Sequence, residues 1–399
     1  LAGLQTSSQS AVSNFQTLII MKSSVLSVFV LGALMACTGN KKEELQMTAS
    51  GLQPENFKAV VDGKNTGLYT LKNKNDMEVC VTNFGGRIVS IMVPDKDGNM
   101  RDVVLGFESI KDYIDYPSDF GASIGRYANR IGNGQFSLDG VKYQLPQNNY
   151  GHCLHGGFKG FQYVIYDVMK VSDNEIKLSY LAKDMEEGFP GNVTCTVSMT
   201  LTNDNAININ YEAETDKPTI INMTNHSYFN LDGKPEKGNS DYLMMVNASN
   251  YTPIDSTFMT TGEILPVEGT PFDFRKPVRL GDKLIEECEQ LKNGHGIDHN
   301  WILDTEGNLN TACASLESTE SGIKLEVFTN EPGIQVYTGN FLDGTQIGKK
   351  GIKYNCRAAV CLETQKYPDT PNKPEWPSCI LRPGEKYNSN TIFKFSVNK

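Results

Sequence analysis

Strict alternation of apolar and polar residues recurs along most of this chain, and it constrains the fold more than any other feature. Ile207, Ile209, Tyr211 and Ala213 alternate with Asn208, Asn210, Glu212 and Glu214. Successive side chains of an extended chain point to opposite faces, so such a segment is a strand with one buried and one wet face. The same pattern predicts strands over 77–84, 163–171, 176–182, 323–329 and 334–339. Asp97-Gly98, Asp139-Gly140, Asp232-Gly233 and Asp343-Gly344 punctuate the chain, as tight turns between antiparallel strands require. One helix is expected, because Leu280, Leu284, Ile285, Cys288 and Leu291 share a helical face and Gly294 stands in the stop position. No repeat or linker divides residues 55–399. The expectation is an all-β fold: one large antiparallel β-sandwich with few short helices.

Composition excludes some functions. Lys plus Arg number 37 against 47 Asp plus Glu, a formal charge of −10. A general nucleic-acid binder needs a basic face for phosphates, so this balance argues against that class. The mean hydropathy of −0.36 excludes a polytopic membrane protein.

The N-terminal region reads as a targeting segment. Residues 1–20 hold no Met and no charge; Met21 then opens a signal-like pattern of Lys22, an apolar run from Val25 to Ala36, and Cys37. A run of about a dozen apolar residues suits a signal peptide and is too short to span a bilayer. Leu34-Met35-Ala36-Cys37 resembles a bacterial lipobox, with Met at the middle position as a departure. Residues 1–36 are therefore expected to be upstream sequence plus signal peptide starting at Met21. Residues 37–54 are expected to be the lipid attachment at Cys37 and a polar tether. The protein is expected to be exported and to meet the membrane only through that anchor. Of the other eight Cys, Cys195 lies on the apolar side of an alternating strand, and unpaired, buried thiols are the expectation.

The chain has five His. Four fall in Gly151-His152-Cys153-Leu154-His155-Gly156-Gly157 and Gly294-His295-Gly296-Ile297-Asp298-His299-Asn300, which suggests a site built on loops at strand ends. His152 and His155 have H-x-x-H spacing, but a zinc-protease helix needs His-Glu-x-x-His, so no metal is expected. The dinucleotide fingerprint and the Walker A loop are absent, so no organic cofactor is implied. Asn222, Thr224, His226 and Tyr228 line one face of a presumed strand, either a cleft floor or a solvent-facing edge. In Ala359-Val360-Cys361-Leu362-Glu363-Thr364-Gln365, alternation sets Glu363 beside Cys361 on one strand face. Its apolar neighbours desolvate Glu363 and favour its neutral form, while an adjacent cation would restore the carboxylate.

At these residues the chain resembles the aldose 1-epimerase (galactose mutarotase) family. The ordered motifs include Asn83-Phe84-Gly85-Gly86, Gly125-Arg126-Tyr127-Ala128-Asn129-Arg130-Ile131, Leu154-His155-Gly156-Gly157 and Thr224-Asn225-His226-Ser227-Tyr228-Phe229-Asn230-Leu231. Ile297-Asp298-His299-Asn300, Pro332-Gly333-Ile334-Gln335-Val336-Tyr337, Cys361-Leu362-Glu363-Thr364-Gln365 and Leu381-Arg382-Pro383-Gly384-Glu385 follow in order. The resemblance implies a large β-sandwich with an open sugar cleft and interconversion of the α and β anomers of a free aldose. It implies Glu363 as base and His226 as acid, with Asn129, Arg130, His155, Asp298 and Gln335 around the sugar. The chemistry suits these residue types, since ring opening needs a base at the C1 hydroxyl and an acid at the ring oxygen. Their surroundings are expected to hold the base ionised and the acid protonated. The rivals are a non-catalytic sugar-binding protein on the same fold and a sugar-phosphate epimerase, which would need extra cations.

Overall fold

The alternation predicted over 207–213 is realised in the strand Ala206–Thr215, where Ile207, Ile209 and Tyr211 are fully buried. This strand is central in a nine-stranded antiparallel sheet. Its neighbours include Val193–Leu201, Glu175–Ala182, Tyr387–Val397 and Ile323–Thr329. A six-stranded sheet runs in the order Tyr228–Phe229, Val360–Gln365, Gly333–Tyr337, Asp298–Ile302, Asn250–Thr252, Leu265–Pro266. One face of it, with Trp301, Ile334, Val336 and Leu362, shares an apolar core with Cys195, Val197, Ile209 and Phe393 of the larger sheet. That shared core makes the molecule a β-sandwich. A four-stranded sheet of Leu68–Lys72, Glu78–Thr82, Arg87–Pro94 and Met100–Asp102 adds to the body. The four predicted Asp-Gly turns each carry their glycine at positive φ.

This computed structural model describes residues 47–398, and all of them belong to one unit. Met21, Cys37, the signal segment and most of the predicted tether lie outside the described residues. The end of that tether differs from expectation. Leu52 is only 2% exposed, the Ala49 N–H donates to Glu78 Oε1 at 2.7 Å, and Ser50 Oγ donates to Ser90 Oγ at 3.1 Å. Residues 49–52 are therefore part of the domain, because Leu52 buries its side chain and the backbone finds partners there.

Two further expectations are corrected. The single helix over 280–291 is two five-residue helices, Leu280–Leu284 and Glu289–Asn293. Only Leu280 and Leu291 are buried, and Ile285 is 83% exposed; the stretch between them buries too little apolar surface to hold a continuous helix. The strand predicted from 163 begins later, at Asp167–Val171. Residues 164–166 instead pair with the loop after Glu78–Thr82, where Gly85 N–H donates to Val164 O and Tyr166 N–H to Asn83 O. The eight described cysteines are unpaired, six of them buried, Cys195 among them.

Candidate active site

The polar face of the six-stranded sheet forms the floor of a cleft. Its register aligns Asn300, Gln335 and Glu363 in one cross-strand row, and Asp298, Tyr337 and Cys361 in the next row on the same face. Alternation sends the intervening Trp301, Ile334, Val336 and Leu362 into the core, so one pattern both anchors the sheet and aims its polar groups outward. Gln335 Nε2 donates to Asp298 Oδ1 at 2.6 Å.

His226 arrives from a separate strand. Thr224–His226 pairs with Ala122–Ile124, and after Ser227 the chain switches to pair Tyr228 with Cys361. The expected single strand face of Asn222, Thr224, His226 and Tyr228 is thus divided between two sheets. All four residues are buried, which rules out a solvent-facing edge. The switch brings His226 Nε2 to 3.5 Å from Glu363 Oε1. Asn222 serves the neighbouring loop, donating from Nδ2 to Ala128 O at 3.1 Å.

That loop carries Asn129 and Arg130. Asn129 N–H donates to His155 Nδ1 at 3.1 Å, and His155 N–H donates to Asn129 O at 3.2 Å. This reciprocal clasp needs an uncommon backbone, with φ of 65° at Asn129 and 51° at His155. The following Gly156 allows the close approach, since a Cβ there would lie 2.1 Å from Gly125 O. Arg130 donates from Nε to Asn149 Oδ1 at 3.1 Å and lies over the Phe258 ring.

The cleft holds about 280 Å³ and is lined by Glu363, His226, Asn129, Arg130, His155 and Asp298. Of the predicted site residues in the described chain, only Gln335 stands behind this wall, against Asp298. The loop histidines behave differently from expectation, since only His155 reaches the cleft. His152 is occupied by Asn133 N–H and by Thr257 Oγ1. His299 is a core residue whose Nδ1 accepts from Asp298 N–H, and burial lowers its pKa to about 3. His295 stacks on Phe258 at the rim.

Burial sets the charge states. It pushes the Glu363 carboxyl well above the usual carboxylate range; Asp298 and Asp119 add to this and Arg130 opposes it. Burial also pulls His226 below the ordinary imidazole value, against the carboxylates of Asp119 and Asp298. Each shift runs opposite to the expected ionised base and protonated acid. The two groups are adjacent, however, at 3.5 Å, close enough to share one proton. Carboxylate with imidazolium and carboxyl with imidazole are tautomers of that same state, and burial favours the neutral one. Burial, with His226 and Arg130 nearby, holds His155 well below its ordinary value.

Among the described residues, two clusters have metal-ligand types within 4.8 Å of one another: Asp119, His155 and His226, and His226, Cys361 and Glu363. The donor chemistry fits neither well. His155 Nδ1 accepts a backbone N–H, so the neutral ring carries its proton on Nε2 and has no lone pair there for a metal. The Cys361 thiol is pushed well above its ordinary value by burial, with Glu363 adding to it, which disfavours the thiolate that a metal requires.

Sequence reasoning missed Asp119, Tyr337 and Phe341 as cleft-lining residues, whereas Tyr228, read as a candidate for the cleft floor, does line it. Tyr337 was legible, two residues from Gln335 on an alternating strand. Asp119 lies in a non-periodic loop and gave no signal.

The family model for aldose 1-epimerase matches residues 67–394. Galactose mutarotase from Rattus norvegicus is 44% identical over 323 residues, spanning 81% of this chain and 92% of that protein. Aldose 1-epimerase from Escherichia coli (strain K12) is 37% identical over 337 residues, spanning 84% and 96%. Among solved structures, an aldose epimerase homologue from C. elegans aligns with a TM-score of 0.78 at 31% identity, covering 84% of this chain and 100% of that one. Fold and cleft together define a mutarotase-like β-sandwich isomerase. The chain belongs to the aldose 1-epimerase family, and its activity is the interconversion of the α and β anomers of aldoses.

Proposed function

We propose that Glu363 and His226 are the acid–base pair of this reaction, with Asn129, Arg130, His155, Asp298 and Gln335 holding the sugar. The observation that carries this reading is the 3.5 Å separation of His226 Nε2 and Glu363 Oε1 at a cleft wall. The two oxygens exchanged in mutarotation, the C1 hydroxyl and the ring oxygen, sit on the same carbon. Adjacent groups can address both at once.

In the opening step, Glu363 carboxylate takes the C1 hydroxyl proton and His226 imidazolium protonates the ring oxygen. The C1–ring-oxygen bond breaks, leaving an open-chain aldehyde. The pair ends as carboxyl and imidazole, which is the tautomer that burial favours, so the proton count of the site is unchanged. Rotation about C1–C2 presents the other carbonyl face. Closure then runs the transfers backwards. His155 Nε2–H supplies a donor, Arg130 a cationic fork for hydroxyl or ring oxygen, and Asp298 an acceptor oriented by Gln335.

Galactose and glucose class aldoses are the proposed substrates, by likeness to the galactose mutarotase of Rattus norvegicus. A sugar phosphate is disfavoured. Beside a Glu363–His226 pair that is neutral overall, the cleft is lined by one Arg against two acids, Asp119 and Asp298, a balance that repels an anion. A silent sugar binder has no need of a buried carboxyl–imidazole pair, whose desolvation is costly. Export and lipid attachment at Cys37 are also proposed, on the lipobox-like Leu34-Met35-Ala36-Cys37.

The test is polarimetry on freshly dissolved α-anomers. Glu363→Gln and His226→Asn should each lose at least about 100-fold in kcat while circular dichroism stays native. The double variant should be far less than multiplicatively worse, because both groups act in one step. Wild-type turnover in a folded Glu363→Gln would remove the mechanism.

A further inference from the structure

Two complementary polar atoms in the cleft wall are buried and unpartnered: His226 Nδ1 and Asp119 Oδ1. One side-chain nitrogen or oxygen from each of Asp119, His155 and His226 lies within 4.8 Å of the other two. A buried carboxylate oxygen without a donor is costly, and so is a buried imidazole nitrogen without a partner. From this juxtaposition we propose that Asp119 is the positioning carboxylate for His226, receiving its Nδ1–H and holding the imidazolium that protonates the ring oxygen. The proposal rests on His226 being the acid.

The backbone fixes this neighbourhood. His226 pairs with Ala122, and Gly121 N–H donates to His226 O at 3.0 Å. Asn225 Nδ2 donates to Gly121 O at 3.0 Å. Phe120 is buried against Tyr228, and its carbonyl accepts from Arg87 Nη1 at 3.1 Å. Asp119 is thus held by the same strand pairing that delivers His226, and it makes no proton transfer itself.

The other groups facing His226 do not supply this role. Glu363 exchanges protons with the substrate on the Nε2 side. His155 is neutral, and Tyr228 and Tyr337 are phenols that burial keeps protonated. Asp298 is engaged by Gln335. Arg87, fully buried nearby, disfavours an imidazolium. Of the two carboxylates that offset Arg87 and burial at His226, Asp119 exerts the larger upward pull and Asp298 the smaller.

Asp119→Asn preserves shape and removes charge. In this variant kcat should fall about 10-fold or more at neutral pH, with KM changed far less. The acid limb of the pH profile should move to lower pH by about one unit. The His226 signal in a histidine-labelled NMR titration, assigned with His226→Asn, should move the same way, and Asp119→Glu should restore part of each effect. An unchanged limb and unchanged His226 titration in folded Asp119→Asn would overturn the proposal. A raised KM with normal kcat would also overturn it, making Asp119 a sugar contact. His226→Asn in the same assay separates the two readings: if it turns over normally, the acid assignment itself fails. If it is inactive while Asp119→Asn is normal, only the role of Asp119 fails.

Discussion

At the residue scale, the proposed acid–base pair of Glu363 and His226 predicts how activity responds to pH. The competent state of the pair carries one proton. Below a lower limit the pair gains a second, on an imidazole whose affinity burial has reduced below its ordinary value of 6.5. Above an upper limit it loses its last, from a carboxyl that burial has raised well above 4.5. Activity should therefore be bell-shaped: lost as pH falls below the ordinary imidazole range, and lost again as pH rises past a limit well above the ordinary carboxylate range. The measurement is kcat/KM against pH with the spontaneous rate subtracted, which reports the free enzyme. A single acid limb near 4.5 with no alkaline limb would mean that Glu363 titrates alone. That Glu363 and His226 would share one cleft was readable from residue type and motif order. Their protonation was not, because it depends on a 3.5 Å contact made by strands far apart in sequence.

At the element scale, the site is a consequence of alternation. Residues 298–302, 333–337 and 360–365 each send odd and even positions to opposite faces, one to the cleft and one to the core. Trp301 is the largest side chain on the core face; it is fully buried, and its Nε1–H donates to Phe272 O at 3.1 Å. Trp301→Ala should cost about 3–5 kcal/mol of stability, read as a lowered midpoint in denaturant unfolding with the slope unchanged. A loss under about 1 kcal/mol would mean the two sheets do not depend on that packing. Period-2 strands such as Ile323–Thr329 were legible at their true limits, because each residue's face is a local property. The break at Ser227 was not, since changing partner from Ala122–Ile124 to Val360–Gln365 is a tertiary event. The helix over 280–291 failed for a related reason: a shared apolar face predicts a helix only where a partner surface runs its whole length.

At the scale of the whole molecule, the boundary between domain and N-terminal segment carries its own consequence. Composition alone gave residues 38–51 the look of a tether, because polar residues read alike whether solvated or docked. Leu52 is buried and Glu78, itself buried, accepts the Ala49 N–H at 2.7 Å, so the functional boundary lies before residue 49. A protein beginning at residue 47 should keep the melting temperature and turnover of a longer soluble form. One beginning at residue 55 loses the burial of Leu52, worth about 1.5–3 kcal/mol, and leaves Glu78 short of one donor. Its melting temperature should fall by several degrees, while kcat changes little, because none of the lost residues lines the cleft. Equal melting of the two truncations would return 47–54 to the tether. Anchoring is tested separately in the full chain expressed in a bacterial host with radiolabelled palmitate. Cys37→Ala should lose both label and membrane retention while its mutarotation in detergent extract stays normal, since every residue that lines the cleft lies after 118. Label persisting in that variant would remove Cys37 as the site of attachment.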